Sequence, residues 1–360
     1  MAEKLDCCSN GPVDEHSSAP WLIGSIPSGQ DSCPRVATRL TWADTLGRWK
    51  VRWALGRDRY TVQPGLYAVG EADSDSLVFV TANYKMSFDC LRSALHNRNA
   101  WILVLDTAGI NVWCAAGKRT FGTDNLVDSV ANINLAERVN HRKLILPQLG
   151  ASGISAHIVS QRTGFKIVYG PVRSVDLPAF LDSSMKATPQ MRKVEFGMLD
   201  RLRLTPVELV ISIKYILFAM LVALVASGVS RTGYDLHAAP SRALPALTIL
   251  LSSWLAGAFF GPVLLPFFPV RSFAAKGAIA GLLAFALAAG VGITQKMTSI
   301  ETCAWAAIAI SIASFLTMNF TGASTFTSPS GVRKEMRVAV PAQIVGILGG
   351  IVLLIINLFT

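Results

Sequence analysis

The chain has 360 residues, of which 51% are hydrophobic and only 16% are charged. Soluble proteins usually carry about 25% charged residues, so this composition excludes a wholly soluble chain. Charges occur at ordinary density up to about Arg203 and are missing from long stretches beyond it. The net charge is +10, but the sequence has no basic run interleaved with aromatic residues. We therefore expect no nucleic acid partner.

Composition divides the chain into four segments. We predict a disordered N-terminal tail at 1–40, a cytoplasmic α/β domain at 41–190, a basic juxtamembrane linker at 191–206 and a transmembrane domain at 207–360. The tail is rich in serine, glycine and proline and has no apolar core of a signal peptide, which is typical of disorder.

Five stretches of the last segment are long and apolar enough to cross a bilayer, at 207–230, 243–266, 274–295, 301–320 and 339–359. About 20 helical residues cover the roughly 30 Å of hydrocarbon. Three G-x-x-x-G pairs predict close packing between such helices, namely Gly257/Gly261, Gly277/Gly281 and Gly346/Gly350. We therefore expect an all-α bundle of about five transmembrane helices in a lipid bilayer.

Lysine and arginine are distributed unevenly between the loops of this half. One set of loops holds Arg192, Lys193, Arg201, Arg203, Arg271, Lys276, Arg333, Lys334 and Arg337, and the opposite set holds Arg231, Arg242 and Lys296. The positive-inside rule predicts a multi-pass protein of the cytoplasmic membrane. Its N-terminal domain is then cytoplasmic, and its C-terminus lies outside.

The soluble half contains short apolar runs that are typical of strands buried on both faces, at 66–69, 77–81, 101–105, 143–146, 156–159 and 165–169. Helical spacing occurs at 84–96, 124–140 and 175–185. This alternation predicts an α/β Rossmann-like domain with a largely parallel sheet. Ligands bind at the carboxyl ends of such strands, so the turns of interest are 81–85, 106–122, 147–153 and 170–173. No G-x-G-x-x-G opens a helix, which argues against a dinucleotide.

The segment Asn111-Val-Trp-Cys-Ala-Ala-Gly-Lys118 follows one of these predicted strands. If it is helical, Asn111, Cys114 and Lys118 share a face. Ala115 and Gly117 flank that face almost without side chains. A cysteine on such a surface favours a broad, flat ligand, and a thiolate ligates metals. A lone cysteine beside alanine and glycine is nevertheless more often a small buried hydrophobe, and spacing alone leaves both interpretations open.

These eight residues resemble the signature of the HgcA family, the corrinoid-dependent mercury methyltransferases. The segments Val80–Phe88, Leu144–Gly150 and Tyr169–Arg173 are similar to further blocks of that family. So is the arrangement of a soluble domain before five spans, and the resemblance extends from about Trp42 to the C-terminus. Arg119 departs from the pattern, because glycine is common there in the family.

The resemblance implies a corrinoid (cobalamin-type) domain similar to that of the acetyl-CoA pathway corrinoid iron–sulfur protein. Cys114 would be catalytic, as the lower axial ligand of the cobalt. The implied reaction passes a methyl group from a methyl-Co(III) corrinoid to Hg(II) and forms methylmercury. The implied partners are a methyl-tetrahydrofolate-linked methyl donor and an HgcB-like ferredoxin whose iron–sulfur clusters act as reductant. The six cysteines show no CxxC pair and no ferredoxin spacing, which fits a reductant on another chain.

The resemblance and the predicted turns together give a set of cofactor-binding residues, some from the signature and some from other strand ends. They are Asn111, Val112, Trp113, Cys114, Ala115, Ala116, Gly117, Lys118, Thr120, Gly122, Thr81, Asn83, Pro147, Gln148, Gly150, Tyr169 and Gly170.

Two other functions remain open at this stage. A membrane-tethered corrinoid methyl carrier with a different acceptor fits the same motif, because the motif concerns the cofactor and not the acceptor. A transporter with a regulatory cytoplasmic domain is the second alternative, although no carboxylate or histidine lies deep in the later spans.

The vicinal pair Cys7 and Cys8 could capture Hg(II), but an incidental pair in a flexible tail is the simpler interpretation.

Overall fold

A computed structural model describes residues 19–28, 31–230, 233–323 and 329–360. The chain forms two compact units, of which the first comprises residues 1–51 and 55–194 and the second comprises residues 52–54 and 195–360. The first 18 residues, with Cys7 and Cys8, lie outside the described residues, as does Arg231.

The first unit is built on one sheet with the strand order β1-β2-β3-β5-β4-β6-β7. The strands are β1 Leu22–Ser28, β2 Asp31–Val36, β3 Gly65–Val69, β4 Val78–Ala82, β5 Ala100–Leu105, β6 Lys143–Leu146 and β7 Lys166–Tyr169. The pairs β2–β3, β4–β5, β4–β6 and β6–β7 are parallel, whereas β1–β2 and β3–β5 are antiparallel. The sheet is therefore mixed and mostly parallel, and its four parallel neighbours β5, β4, β6 and β7 have their carboxyl ends at the same side of the sheet.

Helices cover both faces of this sheet. They are α1 Trp42–Arg52, α2 Lys85–Ala94, α3 Val112–Lys118, α4 Thr123–Asn132, α5 Leu135–Arg138, α6 Ala156–Thr163 and α7 Leu177–Asp182. Strand β5 shows why both faces need cover: Trp101 and Leu103 pack in the core with α3, α4 and α6, and Ile102 packs in the opposite core with α2 and α7. A strand buried on both faces reads as a continuous apolar run.

The structure corrects three predictions for this unit. Residues 22–36 of the predicted disordered tail form the β1–β2 hairpin, which pairs with β3 and buries Cys33 and Val36. The run at 156–159, predicted as a strand, is the start of helix α6, because a short apolar run does not distinguish the two. The helix predicted at 124–140 is broken at Asn134, whose φ of 48° is left-handed.

The second unit is helical apart from the two-residue strands β8 Val229–Ser230 and β9 Gly233–Tyr234. Its helices are α8 Met198–Leu202, α9 Thr205–Ala226, α10 Ala239–Leu255, α11 Gly261–Val263, α12 Phe273–Gly290, α13 Ser299–Asn319 and α14 Pro329–Phe359. Within the described ranges, five helical segments are long and apolar enough to cross a membrane: Met198–Ala226, Ala239–Val263, Phe273–Gly290, Ser299–Gly322 and Ser330–Phe359. The predicted number of spans is confirmed.

Small residues allow these helices to approach closely, as the G-x-x-x-G pairs predict. A Cβ atom added at Gly281 would lie 2.7 Å from the Cβ of Ala313, and one added at Gly257 would lie 2.6 Å from the Ala313 Cα. A Cβ at Gly350 would lie 2.6 Å from the Ile308 side chain. Any larger residue at these glycines would push neighbouring helices apart.

Candidate functional site

The turn after β5 is shaped by the side chain of Asn83, which follows β4. The Asn83 Oδ1 accepts hydrogen bonds from the backbone N–H groups of Thr107 (3.1 Å) and Gly109 (3.0 Å). The Asn83 Nδ2 donates to the Asp106 Oδ1 at 3.1 Å. Ala108 and Gly109 have φ angles of 54° and 70°, a left-handed bend that glycine adopts without strain. The buried amide of Asn83 thus fixes the path by which the chain enters α3.

Helix α3 contains seven of the eight signature residues, Val112 to Lys118. The eighth, Asn111, precedes the helix and caps its N-terminus. The Asn111 Oδ1 accepts a hydrogen bond of 3.0 Å from the Cys114 backbone N–H, which satisfies one of the free donors of the first turn. The helix ends at Lys118, because Arg119 is left-handed with φ 65°. The helix that the sequence analysis left as a condition is present, with Asn111 as its N-cap and Arg119 in the conformation that glycine would favour.

The two sides of α3 differ in what they present. Ala115 and Ala116 are buried against the domain core, whereas Cys114, Gly117 and Lys118 are exposed. A Cβ atom added at Gly117 would meet no atom of the described residues within 4 Å apart from its chain neighbours and the backbone of its own helix. The structure therefore places Cys114 beside an open surface from which glycine withholds a side chain, and it excludes the interpretation of Cys114 as a buried hydrophobe.

The turn after β6 packs tightly under α3. A Cβ atom at Gly150 would lie 2.6 Å from the ring of Phe121, and one at Gly153 would collide with the Phe121 carbonyl oxygen and lie 3.0 Å from the Ala116 Cα. Phe121 itself is fully buried, and its N–H donates to the Ala115 carbonyl oxygen at 3.2 Å. Gly150 therefore makes room for the Phe121 ring, and Gly153 allows the close approach of backbone to backbone that supports α3 from below.

The other predicted residues surround this arrangement at the same edge of the sheet. The Gly170 N–H donates to the Leu146 carbonyl oxygen at 2.8 Å, and the Tyr169 hydroxyl donates to the Ile154 carbonyl oxygen at 3.0 Å. Burial raises the pKa of the Tyr169 hydroxyl, so it stays a hydrogen-bond donor at neutral pH.

The remaining predicted positions are partly committed to contacts within the domain. The Gln148 Oε1 accepts from Arg192 at 2.9 Å, and the Thr120 hydroxyl donates to the Ala115 carbonyl oxygen at 3.4 Å. Thr81 is buried, and Pro147 precedes the short 3-10 turn Gln148–Gly150. Gly122 precedes α4, where a Cβ atom would lie 2.6 Å from the Arg119 carbonyl oxygen.

The residues predicted to bind the cofactor fall into two groups in the structure, one exposed and one buried. Trp113, Cys114, Gly117 and Lys118 are exposed on α3, where a ligand can reach them. The buried members, such as Asn83, instead shape the turns that hold α3. The turn at 106–109 lies inside the predicted turn 106–122, but nothing in the sequence indicated that the Asn83 side chain would hold it.

Comparison with known proteins gives matches to the soluble unit. Residues 54–181 match the family described as CO dehydrogenase/acetyl-CoA synthase delta subunit. This range contains β3 to β7 and the whole of α3. The match agrees with the resemblance to acetyl-CoA pathway proteins and does not address mercury.

About a third of the chain is similar to curated proteins, among them three gamma subunits of acetyl-CoA decarbonylase/synthase complexes. The protein of Methanopyrus kandleri is 30% identical over 128 residues, which is 35% of this chain and 27% of the relative. That of Archaeoglobus fulgidus is 30% identical over 125 residues, 34% of this chain and 26% of the relative. That of Methanocaldococcus jannaschii is 31% identical over 127 residues, 35% of this chain and 26% of the relative. The chain thus spans about a quarter of the length of these relatives.

Proposed function

We propose that this protein is a membrane-anchored, corrinoid-dependent methyltransferase that delivers a methyl group to Hg(II). One observation supports this proposal above the others: the eight-residue signature is a capped helix with an exposed cysteine beside an open glycine. The similarity of residues 54–181 to acetyl-CoA synthase subunits supports a corrinoid domain of the same kind. Mercury as the methyl acceptor is inferred from the signature Asn111–Lys118 alone, because the similarity to acetyl-CoA decarbonylase/synthase subunits does not concern mercury.

The open surface on the exposed side of α3 supports the binding of a broad planar group there. Gly117 leaves open space where any other residue would place a side chain, and Cys114 offers a free sulfur at the same surface. Trp113 and Lys118 are exposed beside them. These four residues would hold the corrinoid, while Asn83 and Gly150 would act indirectly by fixing the turns under the helix.

When bound, the corrinoid supplies a cobalt atom that carries the methyl group. Cys114 would ligate that cobalt through its sulfur, and a thiolate donates more electron density to a metal than an imidazole or a water molecule does. Hg(II) is an electrophile and accepts a methyl group only together with electrons. The chain would thus contribute a sulfur ligand and the binding surface, while the cofactor would supply the difficult chemistry.

Electrons and methyl groups must come from other molecules. Within the described residues, no group of three or more histidine, cysteine, aspartate or glutamate side chains is placed to hold a metal ion. We propose an HgcB-like ferredoxin as the reductant and a methyl-tetrahydrofolate-linked donor as the methyl source. We further propose that the soluble unit is cytoplasmic and the C-terminus lies outside, from the distribution of lysine and arginine.

The test is methylmercury formation by the full-length protein with its ferredoxin-like partner, measured per corrinoid-loaded molecule. Cys114→Ala should abolish the product, because no donor of comparable strength remains. Cys114→His should fail to restore it, since neutral imidazole gives less electron density and its ring is bulkier beside Gly117. Cys303→Ala, which removes an exposed cysteine of the membrane-spanning unit, is the matched control and should leave the yield unchanged.

The second candidate function is a corrinoid methyl carrier for another acceptor, and the similarity to acetyl-CoA decarbonylase/synthase subunits favours it. Two measurements on the same sample distinguish the candidates. Bound corrinoid without methylmercury would leave the carrier function and exclude mercury as acceptor. Wild-type protein without any corrinoid would refute both functions, and near wild-type yield from Cys114→His would refute thiolate donation.

A further inference from the structure

Helix α1 has a buried side and an opposite, strongly apolar exposed side. Asp44 and Val51 are 4% and 2% exposed and face the domain. On the opposite side, Trp42, Leu46 and Trp49 are 78%, 45% and 60% exposed. At 3.6 residues per turn these three positions fall within a stripe about 60° wide. Water-soluble surfaces rarely carry two large indole rings on one stripe without a partner. We call these three residues the tryptophan stripe.

The orientation of this stripe is fixed by buried ion pairs on the other side of the helix. The Asp44 carboxylate binds Lys85 Nζ at 2.6 Å and Arg92 Nη2 at 2.8 Å, and both cations belong to α2. Asp89 binds the same two cations, each at 2.8 Å. Turning α1 would separate the Asp44 carboxylate from both cations and leave Lys85 and Arg92 with Asp89 as their one partner in this cluster, which is strongly unfavourable for buried charges. The tryptophan stripe therefore cannot turn inward to escape water.

Basic residues are frequent in the second half of α1 and in the turn that follows it. Between positions 48 and 59 the chain has five basic residues and one acidic residue: Arg48, Lys50, Arg52, Arg57 and Arg59 against Asp58. Lys50 is exposed on α1 directly beside Trp49, and Arg59 is exposed in the turn that follows. Long basic side chains beside an apolar stripe can reach phosphate groups while the indole rings enter the headgroup region.

We propose that the tryptophan stripe of α1 lies on the surface of an anionic lipid bilayer. Tryptophan prefers the membrane–water boundary, because its ring is apolar and its N–H needs a polar partner. The basic neighbours attract anionic headgroups. A bilayer is also always present for this chain, whose first candidate span begins at Met198, four positions after the last residue of the first unit, Val194. The interaction is independent of the proposed methyl transfer.

The experiment uses the full chain in nanodiscs whose phosphatidylglycerol carries brominated acyl chains, which quench nearby indole fluorescence. Trp254 and Trp305, both in candidate spans, are first replaced by phenylalanine to remove their signal. The remaining fluorescence should then be quenched through the stripe. Adding Trp42→Phe and Trp49→Phe should abolish at least half of that quenching, whereas adding Trp113→Phe should not change it. Trp113 is the matched control, an exposed tryptophan outside the stripe.

Charge dependence separates a lipid surface from other partners of the stripe. Lys50→Gln should lower the equilibrium constant for binding of the tryptophan stripe to the bilayer by about fivefold. This is the effect expected of one basic residue near an anionic lipid surface. Replacing phosphatidylglycerol by phosphatidylcholine should lower it further. Absence of stripe-dependent quenching in anionic nanodiscs would overturn the proposal and leave a protein partner as the explanation. Quenching that is indifferent to both lipid charge and Lys50 would overturn the electrostatic part.

Discussion

The proposed site makes opposite predictions for stability and for cofactor binding at Gly117. This residue lies in α3 with a negative, helical φ, and the space beyond its Cα is open. Leucine is a far better helix former than glycine. Because a Cβ atom added at Gly117 has no neighbour within 4 Å beyond its own helix, we expect a leucine side chain to extend into open space, and Gly117→Leu should raise the free energy of unfolding by about 0.5–1 kcal/mol.

Corrinoid binding should respond in the other direction. A leucine side chain would occupy the surface beside Cys114, and forced contacts of this kind cost about 1–3 kcal/mol. The affinity for corrinoid should therefore fall by about 5- to 100-fold. Gly117→Ala should show a smaller loss, because it adds one methyl group.

Two assays on the purified full-length protein measure these effects: thermal unfolding without corrinoid, and cobalt content per chain after equilibration with cobalamin. Gly150→Ala is the contrasting variant, since its added Cβ would collide with the Phe121 ring and should lower stability by about 1–3 kcal/mol. Gly117→Leu with undiminished cobalt content would refute the placement of the corrinoid on this surface. A destabilised Gly117→Leu protein would refute the open space from which the prediction starts.

Three further predictions concern the turn, the ion pairs and the membrane topology. Asn83→Ala should lower the free energy of unfolding by about 1–3 kcal/mol and reduce cobalt content, because the Thr107 and Gly109 N–H groups lose their acceptor; unchanged values in both assays would contradict its role in the turn. Burial acts to raise the pKa of Asp44, but hydrogen bonds from Lys85, the Thr41 N–H and Arg92 outweigh it and hold the pKa well below its ordinary value. A lowered pKa contributes stability that is complete above the unfolded value of about 3.9 and is lost as the pH falls towards the folded value. Asp44→Asn should thus destabilise the domain at pH 7 by about 3–5 kcal/mol and flatten its loss of stability below pH 4 in urea titrations, and an unchanged acid limb would contradict this assignment. Reporters fused before Met1 and after Thr360 should report opposite sides of the membrane, as an odd number of spans requires, and signals from the same side would exclude five crossings.

The sequence alone was sufficient for features that arise from local pattern. Continuous apolar runs predicted β3 to β6 within a residue or two, because a strand buried on both faces admits little else. The five spans followed from length and hydropathy, since the bilayer imposes both.

Tertiary structure decided the features that depend on residues distant in sequence. Residues 22–28 and 31–36 of the Ser/Gly/Pro-rich N-terminal segment form strands because β1 pairs with β2 and β2 pairs with β3, and local composition carries no information about those partners. Short apolar runs such as that of α6 fit a strand and a helix equally well until their neighbours are known. Spacing left Cys114 ambiguous between a core residue and a ligand, and burial of Ala115 and Ala116 decided it, because they turn Cys114 outward. The outward direction of the tryptophan stripe likewise depends on Asp44 meeting Lys85 and Arg92, 41 and 48 positions along the chain.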